Sequence, residues 1–154
     1  MYRTSNPHTL DAMWQFISGF QSVQIATCHQ NTPFASYAPV LQETPKFYLY
    51  LSQLATHTHN LLHNPQASLL FIENETEANN LFARQRATLS CDVRIIERDS
   101  EKWSQQLDKM EVEFGETVAM TRQLPDFVLF ELLAQSAHYV VDFAKAYRFE
   151  IEES

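Results

Sequence analysis

Glycine is almost absent from this chain, and its absence restricts the folds and cofactor sites open to it. Gly19 and Gly115 are the only two glycines among 154 residues, where average usage would supply about eleven. Walker loops and dinucleotide-binding turns each need several clustered glycines, because backbone amides must approach a phosphate without a Cβ in the way. Any phosphate-bearing cofactor must therefore be bound by side chains, strand-edge amides or a helix N-terminus.

The composition indicates one globular domain over residues 1–154. Hydrophobic residues make up 45% of the chain, enough for a core at this length. The net charge of −8 would repel a nucleic-acid backbone, so we predict no nucleic-acid partner. No run approaches the ~20 apolar residues that a bilayer-spanning helix needs, and the start MYRTSNPHTL has no apolar signal core. We predict no membrane partner and a cytoplasmic location, with the two cysteines present as reduced thiols.

The apolar pattern predicts short strands with helices inserted between them. Asp99-Ser100 is a helix-capping signal and Gly115 is a helix-ending signal. Five to seven short strands with inserted helices are typical of a small antiparallel barrel, mainly β in an α+β class. The predicted helices are 6–19, 56–63 and 100–114, and the predicted strands are 22–29, 34–41, 46–51, 67–72, 84–98, 127–133 and 138–151.

The strand predicted at 46–51 carries apolar side chains on both faces. Its run from Phe47 to Leu51 contains only aromatic and aliphatic residues, too apolar for either face to be exposed to water. We expect this strand to be buried between two copies of the chain. The sequence therefore predicts a homodimer.

Three histidines fall close together in the predicted helix 56–63. His59 and His63 are four residues apart, the spacing at which two imidazoles on one helix face can bind zinc. The segment supplies no acidic residue as a third ligand, and HExxH is absent. We therefore predict no metal site and interpret the segment as a partly exposed, histidine-rich helix.

Two arginines mark the start of the strand predicted at 84–98. Arg84 and Arg86 are two residues apart, so in a strand both guanidiniums would point to one face. Paired arginines suit a phosphate or carboxylate, as in a flavin phosphate or the propionates of haem. The alternative is a pair of surface cations bonded to the acidic segment 73–77.

A proline in the strand predicted at 34–41 indicates a sheet edge. Pro39 lacks an amide hydrogen and belongs at an edge or a bulge. Unpaired strand-edge groups near Ser36 and Tyr37 would then be available to a flat ring system. The alternative is an edge that is merely protected against aggregation.

Several longer segments of the chain resemble one known group of proteins. They are SYAPV (36–40), ATHTHNLLHNPQASL (55–69), FIENETEANNLFARQRATL (71–89), ERDSEKW (97–103) and QLPDFVLF (123–130). Together they resemble the FMN-binding split-barrel superfamily of pyridoxamine 5'-phosphate oxidases, and most closely its haem-utilisation (HugZ-type) branch. The resemblance implies a six-stranded antiparallel split barrel that dimerises, with a cleft for haem or FMN at the dimer interface.

The resemblance also implies residues for that cleft. Arg84 and Arg86 would meet the anionic groups of the cofactor. Asp126 matches an acidic residue that supports the proximal histidine in the haem branch, and is the one catalytic candidate; otherwise it belongs to an ordinary turn. The remaining cofactor-binding positions implied are Ser36, Tyr37, Pro39, Ser52, His57 and Asn60.

Three functions are compatible with the resemblance: haem binding with oxygen-dependent breakdown, FMN-dependent redox chemistry, or non-catalytic binding of haem or flavin. Haem-degrading relatives carry their iron-ligating histidine in a tail beyond the last strand, whereas no histidine follows His138 here. That difference favours the second and third functions over haem turnover, because the axial ligand fixes the iron. If haem binds, His57 or His59 is the expected ligand.

Overall fold

The computed structural model of the chain describes residues 7–153, which form a mainly β structure with four inserted α-helices. The predicted first residue of the opening helix, Asn6, lies outside this range. The helices are α1 (Pro7–Ser18), α2 (Thr56–His63), α3 (Glu101–Phe114) and α4 (Glu116–Thr121). The strands are β1 (Ser22–His29), β2 (Thr32–Pro39), β3 (Leu41–Glu43), β4 (Lys46–Ser52), β5 (Gln66–Ile72), β6 (Arg86–Ile96), β7 (Phe127–Asp142) and β8 (Lys145–Glu150).

All eight strands belong to one antiparallel sheet. Its order is β2-β1-β5-β6-β7-β4-β3, and β8 pairs with β7 off this path. β7 pairs with β6 along most of its length, while its first half also pairs with β4 and its second half with β8. This arrangement confirms the predicted class, an antiparallel split barrel with inserted helices. It has eight strands, and the prediction of six was wrong in number.

The strand boundaries differ from the prediction where a strand changes partner. The strand predicted at 34–41 ends at Pro39, and Leu41–Glu43 begins a new strand that pairs with β4. The strands predicted at 127–133 and 138–151 are instead one strand to Asp142 followed by β8. The polar Gln135 and Ser136 mark the point where β7 exchanges β4 for β8: its pairing with β4 ends at Leu133 and its pairing with β8 begins at Ser136.

The helix signals around α3 are confirmed. The Ser100 hydroxyl accepts a hydrogen bond of 3.2 Å from the Trp103 amide at the start of α3. Gly115 has a φ of 80°, a conformation that costs a residue with a Cβ more than it costs glycine. The chain can therefore end α3 there and begin α4 at once. None of the helices within residues 7–153 combines the length and apolar character needed to cross a membrane.

Both faces of β4 are buried within the chain itself. Phe47 and Leu49 belong to the core inside the barrel, whereas Tyr48 packs in a second core beneath α3, with Trp103 and Leu107. The expectation that this strand is buried between two copies was therefore wrong. Its apolar pattern reflects α3 covering the outer side of the sheet.

Candidate functional site

His57 and Ser36, two of the predicted cofactor-binding residues, are in direct contact. α2 lies against β1 and β2 at one end of the barrel. Nδ1 of His57 is 2.8 Å from the Ser36 hydroxyl oxygen. Burial lowers the pKa of His57 below its ordinary value, since a low-dielectric environment disfavours the imidazolium. The pair therefore presents a neutral imidazole, held in orientation by a hydroxyl.

Asn60 serves the placement of α2. Its side chain is buried, and its Nδ2 donates a hydrogen bond of 3.0 Å to the Thr27 hydroxyl on β1. One turn later, Nδ2 of Asn64 donates to the Cys28 carbonyl at 3.3 Å. The two amides fix the helix against β1, which in turn fixes where His57 lies.

Ser52 and Asp126 meet at another corner of the barrel. Ser52 ends β4 opposite Phe127, and the amide of the next residue, Gln53, donates to the Asp126 carbonyl at 2.7 Å. The Ser52 hydroxyl accepts from the Leu54 amide at 3.1 Å. These contacts define the chain direction at the end of β4, and the Asp126 carboxylate stays free of them.

Arg84 and Arg86 are two residues apart in the chain and make different contacts. β6 begins at Arg86, so Arg84 lies outside the strand that was predicted to start there. Arg84 donates to the Glu73 carbonyl through Nε at 3.1 Å and through Nη2, and its Nη1 is 3.8 Å from the Glu75 carboxylate. Arg86 donates from Nη1 to the Arg84 carbonyl at 2.9 Å. Arg84 therefore contacts the acidic segment, as the surface-pair alternative expected. Among the described residues, Arg86 uses only its Nη1 donor, for the Arg84 carbonyl.

Exposed apolar side chains surround the start of β6. Leu81 and Phe82 lie on a short 3-10 turn that contacts β7, and Phe82 is 89% exposed. Phe143 is 70% exposed in the turn between β7 and β8. Arg86 pairs with Val140 just before that turn. We call Arg86 with this surrounding apolar surface the arginine half-site.

The arginine half-site and the His57–Ser36 pair lie on opposite faces of the sheet. Ser36 pairs with the buried Ile25 on β1, whereas Arg86 pairs with Ile72 on the outer face. Tyr37, next to Ser36, points outward and is 61% exposed. β2 and β6 are also three strand spacings apart, about 14 Å. The predicted cofactor residues thus form two separate half-sites on one chain.

Sequence reasoning missed a buried carboxylate on β7. The Glu131 side chain is fully buried and accepts hydrogen bonds from the Tyr48 hydroxyl at 2.8 Å, from Arg94 Nε at 2.6 Å and from Lys102. Burial by itself would raise the pKa of Glu131, but these donors outweigh it and lower the pKa to about 2. The signal was present as one acidic residue inside the apolar run FVLFELL (127–133), since a carboxylate in a buried strand needs partners.

Sequence reasoning also missed His29, which lies at the end of β1 beside His59 and His63. Its ring centroid is 5.1 Å from that of His59 and 5.0 Å from that of His63. The fold brings together positions about thirty residues apart, and no local spacing rule detects such a pair.

Comparison with known proteins agrees with this fold. The family model described as pyridoxamine 5'-phosphate oxidase matches residues 9–141. A protein described as the heme oxygenase HutZ, from Vibrio cholerae serotype O1, is 41% identical over 129 residues, covering 83% of this chain and 73% of HutZ.

Two solved structures are similar over most of the chain. A crystal structure of HutZ, described there as a heme storage protein from Vibrio cholerae, has a TM-score of 0.79 and 38% identity, covering 86% of this chain and 94% of that one. The crystal structure of Campylobacter jejuni ChuZ has a TM-score of 0.84 and 28% identity, covering 96% of this chain and 61% of that one. The family model covers most of the chain, and HutZ is 41% identical to it. This chain therefore belongs to the pyridoxamine 5'-phosphate oxidase split-barrel family, in its haem-utilisation branch.

Proposed function

We propose that this protein binds haem in a cleft between two copies of the chain, where the arginine half-site of one copy faces the His57–Ser36 pair of the other. The observation that carries the proposal is the arginine half-site itself. Haem presents an apolar macrocycle and anionic propionates on the same molecule, and this surface offers exposed apolar side chains beside a guanidinium with free donors. The relative HutZ, described as a heme oxygenase and as a heme storage protein, supports the same ligand class.

The two arginines have different roles in this proposal. Arg86 contacts the propionates, because within residues 7–153 its side chain makes a single hydrogen bond, to the Arg84 carbonyl. Arg84 positions the segment that leads into β6, because its donors are directed at the Glu73 carbonyl. A charge-assisted bond to a carboxylate is stronger than one between neutral groups, so Arg86 supplies most of the polar affinity.

His57 is the residue that would hold the iron of a bound haem. Its lowered pKa keeps the imidazole neutral, and only the neutral ring offers a lone pair to a metal. The Ser36 hydroxyl fixes the ring through Nδ1, which leaves Nε2 as the ligating atom. When bound, haem supplies the redox-active iron at which oxygen chemistry takes place.

Asp126 is the proposed acidic residue near the cofactor. Its main chain is fixed by Gln53, so its carboxylate can accept a hydrogen bond from a group in the cleft. If haem breakdown takes place, this carboxylate would orient the iron ligand or move a proton, whereas storage needs neither role. On this proposal, Asp126 would reach the iron ligand in a protein that breaks haem down and need not reach it in one that stores haem. Asp126→Asn, which removes the carboxylate, therefore distinguishes breakdown from storage.

Dimerisation is part of this proposal, because the half-sites of one chain lie on opposite faces of its sheet. The outer face of β5, β6 and β7 carries the half-exposed apolar side chains Leu70, Ile72 and Val140. These side chains flank Arg86 and Thr88 of β6, and exposed apolar surface rimmed by polar residues is typical of an interaction site. A second copy packed on this face would cover it and place the Arg86 guanidinium at the boundary between the two copies.

A flavin is the second candidate ligand, favoured by the family match over residues 9–141. The Arg86 guanidinium suits a phosphate as well as a carboxylate. A cytoplasmic location also belongs to the proposal, supported by the free cysteines Cys28 and Cys91. So does a single domain, supported by the one sheet that contains all eight described strands.

The test is a pair of titrations of the purified full chain, one with hemin and one with FMN. We expect a saturable haem absorption band at one haem per His57–Ser36 site, and FMN affinity lower by at least roughly tenfold. His57→Ala should alter the position of the haem band, because it removes the residue that would hold the iron, whereas exposed His59→Ala should leave the band in place. Tighter binding of FMN than of hemin, or a haem band that His57→Ala does not alter, contradicts the proposal.

A further inference from the structure

Three of the six histidines form one cluster at the end of β1, on the side of α2 away from Ser36. His59 and His63 are one helical turn apart, with ring centroids 4.3 Å from each other. His29 closes the third side from β1. One ring nitrogen from each of the three lies within 4.8 Å of the others. The cluster therefore offers three converging nitrogen ligands at one point of the surface.

The hydrogen bonding of His63 orients its ring as in a metal site. Nδ1 of His63 is 2.8 Å from the backbone carbonyl oxygen of His59. A carbonyl can only accept, so Nδ1 carries the proton and Nε2 carries the lone pair. Metal-bound imidazoles commonly donate their second nitrogen to a backbone carbonyl or a carboxylate in this way, which fixes both tautomer and ring direction.

The backbone on either side of the cluster is cross-linked, so the three histidines are anchored close together before any ligand arrives. Thr27 and Cys28, directly before His29, accept the side-chain amides of Asn60 and Asn64. Those two asparagines directly follow His59 and His63 in the chain. Each imidazole thus has a neighbour that ties β1 to α2.

We propose that His29, His59 and His63 form a binding site for a divalent transition metal of the zinc class. Imidazole nitrogens favour zinc, copper and nickel, whereas calcium and magnesium prefer oxygen ligands. Tetrahedral zinc with bonds of about 2.0–2.1 Å would hold the nitrogens about 3.3 Å apart. Side-chain rotation of the exposed His59 and His63 can close the present 4.8 Å separation. The fourth position is open to solvent, as in sites with three protein ligands.

This metal site is distinct from the proposed haem site. His57 is turned towards β2 and bonded to Ser36, while the cluster faces β1. A haem iron accepts at most two axial ligands on opposite sides of its ring, so three converging imidazoles suit a bare ion better. A metal here would join the end of β1 to α2, the helix that carries His57.

The test is zinc binding to the full chain, purified without a histidine tag and treated with a chelator. Calorimetry should show one zinc per chain, and cobalt should give the visible absorption of a tetrahedral complex. His29→Gln, His59→Gln and His63→Gln should each lower zinc affinity by at least roughly tenfold. The matched control, His57→Gln on the same helix, should stay within about twofold of the parent. A substoichiometric titration, parental affinity in any of the three variants, or an equal loss in the control overturns the proposal.

A second measurement on the unaltered protein guards against variants that fold poorly. Zinc should protect His29, His59 and His63 from acylation by diethylpyrocarbonate, as read by mass spectrometry, and should leave the reactivity of His57 unchanged. Uniform protection of all four histidines, or protection of none, overturns the assignment. Since neither measurement uses haem, the outcome is independent of the proposed function.

Discussion

Nδ1 of His57 on α2 and the hydroxyl of Ser36 on β2 lie 2.8 Å apart and connect the helix to the edge strand of the sheet. A hydrogen bond between neutral groups contributes about 0.5–1.5 kcal/mol. We therefore expect Ser36→Ala to lower haem affinity by roughly two- to tenfold, because the imidazole loses its fixed orientation. A hemin titration measures the change. Ser104→Ala on the distant α3 is the control, and an equal loss there would show that Ser36 acts only through general stability.

The environment of His57 also predicts how haem binding depends on pH. Burial lowers the pKa of His57 from the usual 6.5. The imidazole therefore becomes protonated at a lower pH in the folded protein than in the unfolded chain. The stability linked to the neutral ring is present above pH 6.5 and is lost as the pH falls through the folded pKa. We expect haem to remain bound to below pH 6.5 and to dissociate as His57 protonates. Titration of the His57 ring by NMR, alongside haem absorbance, checks that the two midpoints coincide.

Arg84 and Arg86 should give opposite patterns on substitution. Arg86→Ala should reduce haem affinity by at least roughly tenfold, because a charge-assisted hydrogen bond contributes about 1.5–3 kcal/mol. Its effect on unfolding should be small, since it loses one bond to a carbonyl. Arg84→Ala should mainly lower the unfolding midpoint, because it releases the Glu73 carbonyl.

Hemin titrations and thermal melts of both variants test this division. Arg98→Ala, two residues beyond the end of β6, controls for the loss of a positive charge in the hemin titrations. If Arg84→Ala weakens haem binding while Arg86→Ala does not, the assignment of the two arginines is reversed.

The Glu131 network predicts a difference in acid stability. The pKa of Glu131 is about 2, compared with its usual 4.5, so its stabilising effect is complete above about pH 4.5 and is lost as the pH falls towards 2. Up to about 3 kcal/mol of unfolding free energy should be lost over this range. Glu131→Gln should be less stable at pH 7 by about 2–3 kcal/mol, less than for a fully buried ion pair because Arg94 and Lys102 are partly exposed.

Urea unfolding of parent and variant between pH 2 and 7 measures this difference. The difference in unfolding free energy between the parent and Glu131→Gln should narrow as the pH falls below 4.5, because the parent loses its ionised carboxylate whereas the glutamine has no carboxyl to protonate. Glu97→Gln on the exposed surface is the matched control. A gap that stays constant with pH contradicts the ionised state assigned to Glu131.

Features of this fold that depend on a short segment could be predicted from the sequence, whereas features that depend on contacts between distant segments could not. The helix 56–63 could be predicted because helical spacing and family resemblance both lie within one short segment. The burial of Phe47 to Leu51 could be predicted, but its cause could not, because α3 covers this strand from some fifty residues away. His29 and Glu131 were missed for the same reason: each gains its partners only when distant strands and helices meet. The faces on which Ser36 and Arg86 lie required strand register, which depends on the paired strand as well as on the strand itself.

The outer face of β5 predicts how the dimer can be broken without unfolding the chain. Leu70 is half-exposed and pairs with Thr88 on β6 and Gln24 on β1, so its side chain points away from the barrel core. Leu70→Glu should therefore leave the core packing intact, while burying its charge against a second copy would cost several kcal/mol. By sedimentation at micromolar concentration, we expect the parent to be a dimer and the variant a folded monomer with an unchanged circular dichroism spectrum. The monomer should also bind haem weakly, because it has only half of each cleft. Val112→Glu on the exposed side of α3 supplies the control, and should remain dimeric. A parent that sediments as a monomer, or a Leu70→Glu monomer that binds haem as tightly as the parent, contradicts a cleft shared between chains.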